Sequence, residues 1–289
     1  MNVRPRMQTL LAFIAVPLSA LALTACGGQG ADGGTVEETS GAAKLAHIHG
    51  LGVDPADGRV YVATHDGVYT VAQGAEPQLV GDRKDDFMGF TVTGKGTFIA
   101  SGHGAPGSGR PGNLGLIQSK DAGHTWTTES LSGDADFHSL ETVKGTVYGY
   151  EGGRIRVSTD LKTWDDRATL KALDLAAAPA GDNRLLATTK EGVVASTDGG
   201  RTFASPSGAI QAYVSWPEQG SVFGIDPAGK LSRSTDGGKT WSAVSTVPGG
   251  SPQALTAVDA QHLLAATETG VYESRDGGKT FTQLAPITS

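Results

Sequence analysis

The sequence predicts an all-β chain folded as a six-bladed β-propeller, and three observations point there. A phrase of eight residues recurs in full at Ser119 (SKDAGHTW), Ser196 (STDGGRTF), Ser234 (STDGGKTW) and Ser274 (SRDGGKTF), and in shortened form at Ser158 (STDLKTW). Successive starts lie 39, 38, 38 and 40 residues apart, a period that marks a propeller or solenoid with one supersecondary unit per repeat. Between the phrases run short β-branched and aromatic stretches bounded by Gly, Pro, Asp and Asn, which read as strands.

Taken in order, residues 1–25 read as a processing segment outside the fold. Arg4 and Arg6 precede an apolar run from Leu10 to Ala25, 16 residues broken by Pro17 and shorter than the roughly 20 residues a spanning helix needs. Cys26, the only cysteine, ends that run, so no disulfide forms within the chain. Residues 26–44 are Gly-, Ala- and polar-rich without an apolar period, the composition of a flexible tether. The formal charge is −7, and loss of Arg4 and Arg6 with a leader brings it to about −9. That acidity argues against nucleic acid as a partner and against electrostatic attachment to anionic lipid.

Residues 45–289 hold all the repeats and divide into blades near 45–84, 85–134, 135–170, 171–208, 209–250 and 251–289. The last blade shows the pattern: Ala254–Val258, His262–Thr267, Gly270–Ser274 and Phe281–Leu284 read as four strands, with the recurring phrase between the third and fourth. Ala63–Tyr69 aligns with Ala266–Tyr272, which places Val71 and Gln73 where Ser274 and Asp276 stand, so the first blade has lost the phrase. The chain begins on an inner strand and ends on an outer one, so no blade is expected to be shared between the ends.

The S-x-D-x-G-x-T-W/F phrase on the turn between the third and fourth strands resembles the Asp-box, or BNR-repeat, propellers of the sialidase superfamily. The stretches HIHGLGVD, NLGLIQSKDAGHTW and DFHSL resemble a group of bacterial envelope lipoproteins often labelled glycosyl hydrolase or exo-sialidase. Leu23-Thr24-Ala25-Cys26 resembles their lipobox. These resemblances imply diacylglycerol on the Cys26 thiol, an extracytoplasmic protein anchored to the cell membrane, and boxes on the propeller face opposite any ligand site. The alternative is an ordinary signal peptide followed by a free thiol. Asp121, Asp160, Asp198, Asp236 and Asp276 are accordingly read as structural, since fold does not carry function.

With the boxes marking the bottom, the starts of the inner strands and the loops between second and third strands mark the top. Alignment of the inner strands places His49, Met88 and His138 at equivalent positions in three successive blades. Two residues earlier, on the same strand face, stand His47, Asp86 and Asp136, while His65 and His103 enter from second-to-third loops. Five of the seven histidines thus fall in one sector, leaving His124 and His262 underneath. Imidazole suits Zn or Cu, a thioether favours Cu(I) and a carboxylate favours harder ions. The expectation is a Cu or Zn site on His47, His49 and His138, with His65, His103, Met88, Asp86 and Asp136 as further candidates. The alternative is a set of histidines hydrogen-bonded along the channel.

The insertion Ser101–Asn113 (SGHGAPGSGRPGN) adds a loop with His103 and Arg110 as its strongly interacting side chains. A sialidase, by the resemblance, needs an arginine triad, an acid/base Asp and a Tyr–Glu pair. Here Arg201, Arg233 and Arg275 sit in or beside the boxes, Arg154 and Arg156 on outer strands, and no F/Y-R-I-P stretch occurs. A two-carboxylate glycoside hydrolase remains the second reading, with Asp66, Glu151, Asp226 and Glu268 in second-to-third loops as candidates. The third is a scaffold for an envelope protein partner.

Overall fold

The computed structural model describes Leu45 and residues 47–287. The leader, Cys26 and the tether, expected over 1–44, lie outside the described residues. Among the described residues there are 23 strands and no helix. They form six antiparallel sheets, each made of consecutive strands in simple up-and-down order. Blade one comprises β1 (Ile48–Val53), β2 (Val60–Thr64), β3 (Gly67–Val71) and β4 (Gln78–Leu79). Blade two follows with β5 (Asp86–Gly94), β6 (Thr97–His103), β7 (Leu116–Ser119) and β8 (Thr127–Ser130). Blade three holds β9 (Ser139–Val143), β10 (Thr146–Glu151), β11 (Arg154–Ser158) and β12 (Asp165–Thr169). Blade four has β13 (Leu175–Ala177), β14 (Leu185–Thr189) and β15 (Gly192–Ser196). Blade five has β16 (Tyr213–Glu218), β17 (Ser221–Ile225), β18 (Lys230–Ser234) and β19 (Ser242–Thr246). Blade six has β20 (Pro252–Ala257), β21 (Leu263–Thr267), β22 (Gly270–Ser274) and β23 (Thr282–Pro286).

Blade four departs from the expected four strands. Its outer segment follows β15 with only scattered bonds, Ala204 N–H to Ala195 O at 2.8 Å and Ser207 N–H to Val193 O at 2.8 Å. Pro206 lies between them and has no N–H to give, which prevents a regular ladder.

Strand alternation sends successive side chains to opposite faces, so every blade packs apolar residues against both neighbours. The result is six hydrophobic clusters, one per junction. Phe87, Phe90 and Phe98 meet Tyr61 and Val68 between blades one and two. Phe137 and Leu140 meet Ile99 and Leu116 between two and three. Leu45, Ile48 and Val62 meet Leu264 and Val271 where blade six reaches blade one. Among the described residues that seam joins two separate four-stranded sheets and carries one isolated parallel bridge, between Leu45 and Ile287.

Each junction also carries a polar clasp, in which a side-chain oxygen of one blade accepts a backbone N–H of the next. Going round, Asp54 takes Gly96 (3.0 Å), Ser101 takes Phe137 (2.9 Å), Ser139 takes Leu175 (3.2 Å) and Asp174 takes Val214 (2.9 Å). Ser215 takes Ala257 (2.9 Å), and Gln253 closes the ring on Ile48 (2.9 Å). These N–H groups belong to strand ends facing another sheet, where a buried donor without a partner costs about 1–3 kcal/mol.

The recurring phrase folds as a self-contained turn. In the last copy Ser274 Oγ donates to Asp276 Oδ1 at 2.8 Å and accepts the Gly278 N–H at 2.9 Å. Asp276 Oδ1 accepts the N–H of Lys279 and Thr280, and Oδ2 accepts the Thr280 hydroxyl at 2.6 Å. The Thr280 hydroxyl and these N–H groups hold the Asp276 carboxyl down at about 2. Gly278 has φ of +84°, and a Cβ there would collide with Leu231 of the preceding blade. The Ser–Asp–Thr bonds shape the turn in all five copies, and in the four full copies the second glycine seats it against the preceding blade.

Two stability measurements test this framework. Ser101→Ala removes a fully buried clasp oxygen and is expected to cost about 1–3 kcal/mol in urea unfolding. Asp174 is half-buried beside the channel, and its removal from bulk water pushes its carboxyl up from 3.8 to about 6 against the pull of its hydrogen-bond donors. A raised folded pKa means stability present below pH 3.8 and lost as pH rises through 6, on the order of 3 kcal/mol. Urea titrations of wild type and Asp174→Asn across that window should show the larger loss in wild type; parallel curves would refute it.

Candidate functional site

The site begins with a break in the inner strands. In β1, Ile48 pairs with Thr64 and Gly50 with Ala63, leaving His49 as an extra residue. In β5, Phe87 pairs with Gly102 and Gly89 with Ser101, leaving Met88 as the extra residue. In β20 the same shift leaves Gln253. A bulge re-aims one side chain without ending the ladder. The glycines that follow serve close approach: a Cβ on Gly50 would lie 2.8 Å from Phe90 Cβ, and one on Gly89 would collide with the Phe137 carbonyl. The inner strands of blades one, two and three are thereby drawn together beside the displaced residues.

The side chains around this break form an alternating chain of imidazoles and carboxylates. His65, in the tight turn between β2 and β3, places Nδ1 2.8 Å from Asp86 Oδ1, and His49 Nε2 lies 3.9 Å from the same oxygen. His49 Nε2 is 3.3 Å from the His65 ring nitrogens. The ligand atoms of His49, His65 and Asp86 all lie within 4.8 Å of one another. His47, just ahead of β1, is exposed, with ring centroids 4.9 Å from His49 and 5.5 Å from His65. On the far side of Asp86, His103 Nδ1 is 3.6 Å from Oδ2, and its Nε2 is 3.3 Å from Asp136 Oδ2. His138 Nε2 approaches Asp136 Oδ2 at 2.8 Å.

The group that closes is therefore His49, His65 and Asp86, with His47 beside it. His138 belongs instead to a pair with Asp136 on blade three, and Met88 occupies its own bulge on β5. Among the described residues no lysine or arginine lies within 4.0 Å of the Asp86 or Asp136 carboxylates; the basic side chains within that distance are histidines. Asp86 Oδ1 and Asp136 Oδ1 are buried, and neither receives a hydrogen bond. The His65 contact is close but lacks hydrogen-bond geometry, so the ring nitrogen and the carboxylate oxygen face one another like two ligands around a common point.

Protonation divides the histidines. Burial, then the neighbouring His65 and His47, pushes His49 down to about 4, and burial also lowers His47. The hydrogen bond that the His138 ring donates to Asp136 raises His138. At neutral pH His49 is a free base, the form that binds metal. In metal-free protein, NMR titration of the imidazoles should show His49 titrating near pH 4 and His138 above 6.5, and Asp136→Asn should pull His138 down. His138 titrating below His49 would contradict this electrostatic layout.

The insertion is narrower than the sequence suggests, because Ser101–His103 continue β6. Its remainder is pinned by Asp85, which is fully buried and accepts from Arg110 Nε (2.8 Å), Arg83 Nε (2.6 Å) and the Ala105 N–H (2.8 Å). Arg110 is thus spent on the scaffold, while His103 stands at the site. Strand alternation after Asp86 was the available signal, since adjacent Asp85 must face the other way.

Below the cluster, a hollow of about 60 Å³ leads into the channel past His49, His138, Ser139, Asp174 and Tyr213. Glu141 stands where this hollow meets a lower one of about 350 Å³. Burial, then Asp174, raises its carboxyl well above the usual range. An acid at mid inner strand was legible as an oddity, but its channel position needed the ring.

The turn acids do not gather. Asp66, Glu151, Asp226 and Glu268 occupy hairpins of blades one, three, five and six respectively. Asp226 Oδ1 accepts the N–H groups of Ala228 and Lys230 at 2.9 Å each, and Glu151 faces Arg156 at 3.8 Å. His262 is buried on Glu273 at 2.9 Å, away from the cluster. A larger cleft of about 590 Å³ between blades four and five, lined by Arg184, Phe203, Trp216 and Lys239, contains no residue of the histidine cluster.

No protein-family model matches the chain, and no curated protein sequence matches it. Solved structures do. A YCF48 protein, solved with a D1 peptide bound, is 16% identical over 83% of this chain and 82% of its own, with a TM-score of 0.53. A GH74 enzyme of Niastella koreensis is 16% identical over 84% of this chain, with a TM-score of 0.55; the match spans only 38% of the enzyme. A gluconolactonase of Xanthomonas campestris is 12% identical over 78% of this chain and 84% of its own, with a TM-score of 0.61. At these identities the likeness establishes a shared architecture: the chain is a six-bladed β-propeller whose structural neighbours carry diverse roles.

Proposed function

We propose that this protein is a membrane-anchored, extracytoplasmic propeller that binds a transition metal ion, Zn(II) or Cu(II), through His49, His65 and Asp86. One observation carries the reading: three ligand atoms lie within 4.8 Å of one another, and the buried Asp86 Oδ1 among them has no hydrogen-bond donor. Two imidazoles and one carboxylate form a borderline donor set suited to Zn(II) or Cu(II), with positions left for His47 or solvent. His49, held neutral by burial, presents its lone pair without first losing a proton.

The anchor rests on the lipobox-like Leu23–Cys26, and the Gly-rich segment to Lys44 supplies reach from the membrane. The Ser-x-Asp turns support kinship with the Asp-box propellers. Peptide binding, glycoside hydrolysis and lactone hydrolysis all occur among the structural neighbours, so the fold does not choose between them.

The test is metal content and affinity of untagged full-length chain in detergent, stripped with chelator and titrated with Zn(II) and Cu(II) by calorimetry. Wild type should bind stoichiometrically, and His65→Ala and Asp86→Asn should each weaken binding at least tenfold with the fold intact by circular dichroism. Substoichiometric binding by wild type, or equal binding by the variants, would overturn the proposal.

A further inference from the structure

We infer that the cleft between blades four and five binds a small organic anion, a carboxylate carried on a flat apolar body. This site is separate from the histidine cluster and does not depend on the metal reading. At about 590 Å³ the cleft is of the size that encloses a small molecule. It borders the blade that lacks a fourth strand. In the other five blades an outer strand closes the space beside the third; here residues 202–205 and Ser207 pass β15 irregularly and form one wall of the cleft. Leu186, Val193, Phe203 and Trp216 make much of the remaining wall apolar, and Ala195 and Ala204 take up little of the room.

The free polar groups of this cleft are donors. Trp216 is 7% exposed, and its indole Nε1 is buried with no acceptor. Buried donors are ordinarily paired, so this one calls for a partner. Nε1 stands on the same edge of the ring as Cζ2, and that edge turns toward the cleft. Cζ2 lies 3.6 Å from a Cβ built on Gly237, which lines the cleft, and Arg184 Nη1 lies 3.5 Å from the same point. The Arg184 guanidinium stands 5.0 Å from the centroid of the Trp216 ring, and of its nitrogens only Nε is hydrogen-bonded, to Asp182 at 2.7 Å. The Lys239 ammonium has no carboxylate within 4.0 Å among the described residues; only its backbone N–H is engaged, by Asp236 at 3.0 Å.

The one carboxylate in the lining is already spent. Asp236 Oδ1 accepts the Ser234 hydroxyl and the N–H groups of Lys239 and Thr240, and Oδ2 accepts the Thr240 hydroxyl. What the cleft lacks is acceptors. A ligand carboxylate brings two oxygens with several lone pairs and no proton, so it answers guanidinium, ammonium and indole N–H together. Arg184 lies over the indole edge, and an anion drawn between it and Lys239 meets the N–H as the guanidinium turns toward it. A neutral sugar fits less well, because each hydroxyl brings a proton and the Asp236 oxygens that would take one are engaged. A flat apolar body packs against Phe203 and Trp216.

The experiment titrates metal-stripped, untagged full-length chain in detergent with naphthoate, indoleacetate and phenylacetate by calorimetry. At least one acid is expected to bind saturably at one site per chain, and its neutral amide about tenfold more weakly. Trp216→Phe keeps the ring and removes the N–H, and should weaken the acid about tenfold. Lys239→Ala should weaken it several-fold; that side chain is exposed, so the variant keeps its fold, and circular dichroism checks Trp216→Phe. His65→Ala, in the histidine cluster, should leave the affinity unchanged. Absence of saturable binding by all three acids would overturn the inference, as would equal affinity for acid and amide. Binding indifferent to both cleft variants, or lost in His65→Ala, would place the ligand elsewhere and overturn it too.

Discussion

The ring depends on the clasp at each junction, a side-chain oxygen of one blade accepting a backbone N–H of the next. Sheets in a propeller meet face to face, so the N–H groups at the ends of inner strands find no ladder partner across the gap. Asp54, Ser101, Ser139, Asp174, Ser215 and Gln253 supply one acceptor per junction, each reaching the next blade round the ring. Hydrophobic clusters provide most of the attraction between blades, but they are non-directional. The clasps set the register at which one sheet sits on the next. Because the histidine cluster is assembled from three blades, its geometry inherits that register.

The site uses a local irregularity held by a regular frame. The bulges at His49 and Met88 displace one residue each, and Gly50 and Gly89 let the adjacent inner strands close behind them. Asp85 and Asp86 divide the labour: the first locks the insertion, and the second faces the imidazoles. Two carboxylates stand among histidines, while Arg83 and Arg110 are taken up by Asp85, so among the described residues no lysine or arginine lies within 4.0 Å of Asp86 or Asp136.

Much of this was legible because it is local or repeated. The Ser-x-Asp turn at Ser274 is made almost wholly of contacts within seven residues, so its sequence announces its shape. The convergence of His47, His49, His65, His103 and His138 followed from aligning repeats, since equivalent positions occupy equivalent places in a ring. What escaped was set by neighbours remote in sequence. The bulge at His49 exists relative to β2, and the pairing of His65 with Asp86 needs blades one and two packed. The displacement of His138 toward Asp136 depends on side-chain direction, which period two does not fix. Pro206 was in plain view as a strand breaker, but only the sheet shows that blade four goes without its fourth strand.

The seam between blades six and one has a consequence in chain entropy. Five junctions join blades that are already neighbours in sequence, but the sixth must close a loop of some 240 residues. By the logarithmic law that closure costs on the order of 5 kcal/mol beyond a constant. The seam carries thirteen buried cluster residues, whereas the other junctions carry six to ten. Its larger set of buried apolar residues stands where the entropic cost is greatest. The histidine cluster, by contrast, lies across blades one to three, which are consecutive in the chain, so its assembly need not await the closing of the ring.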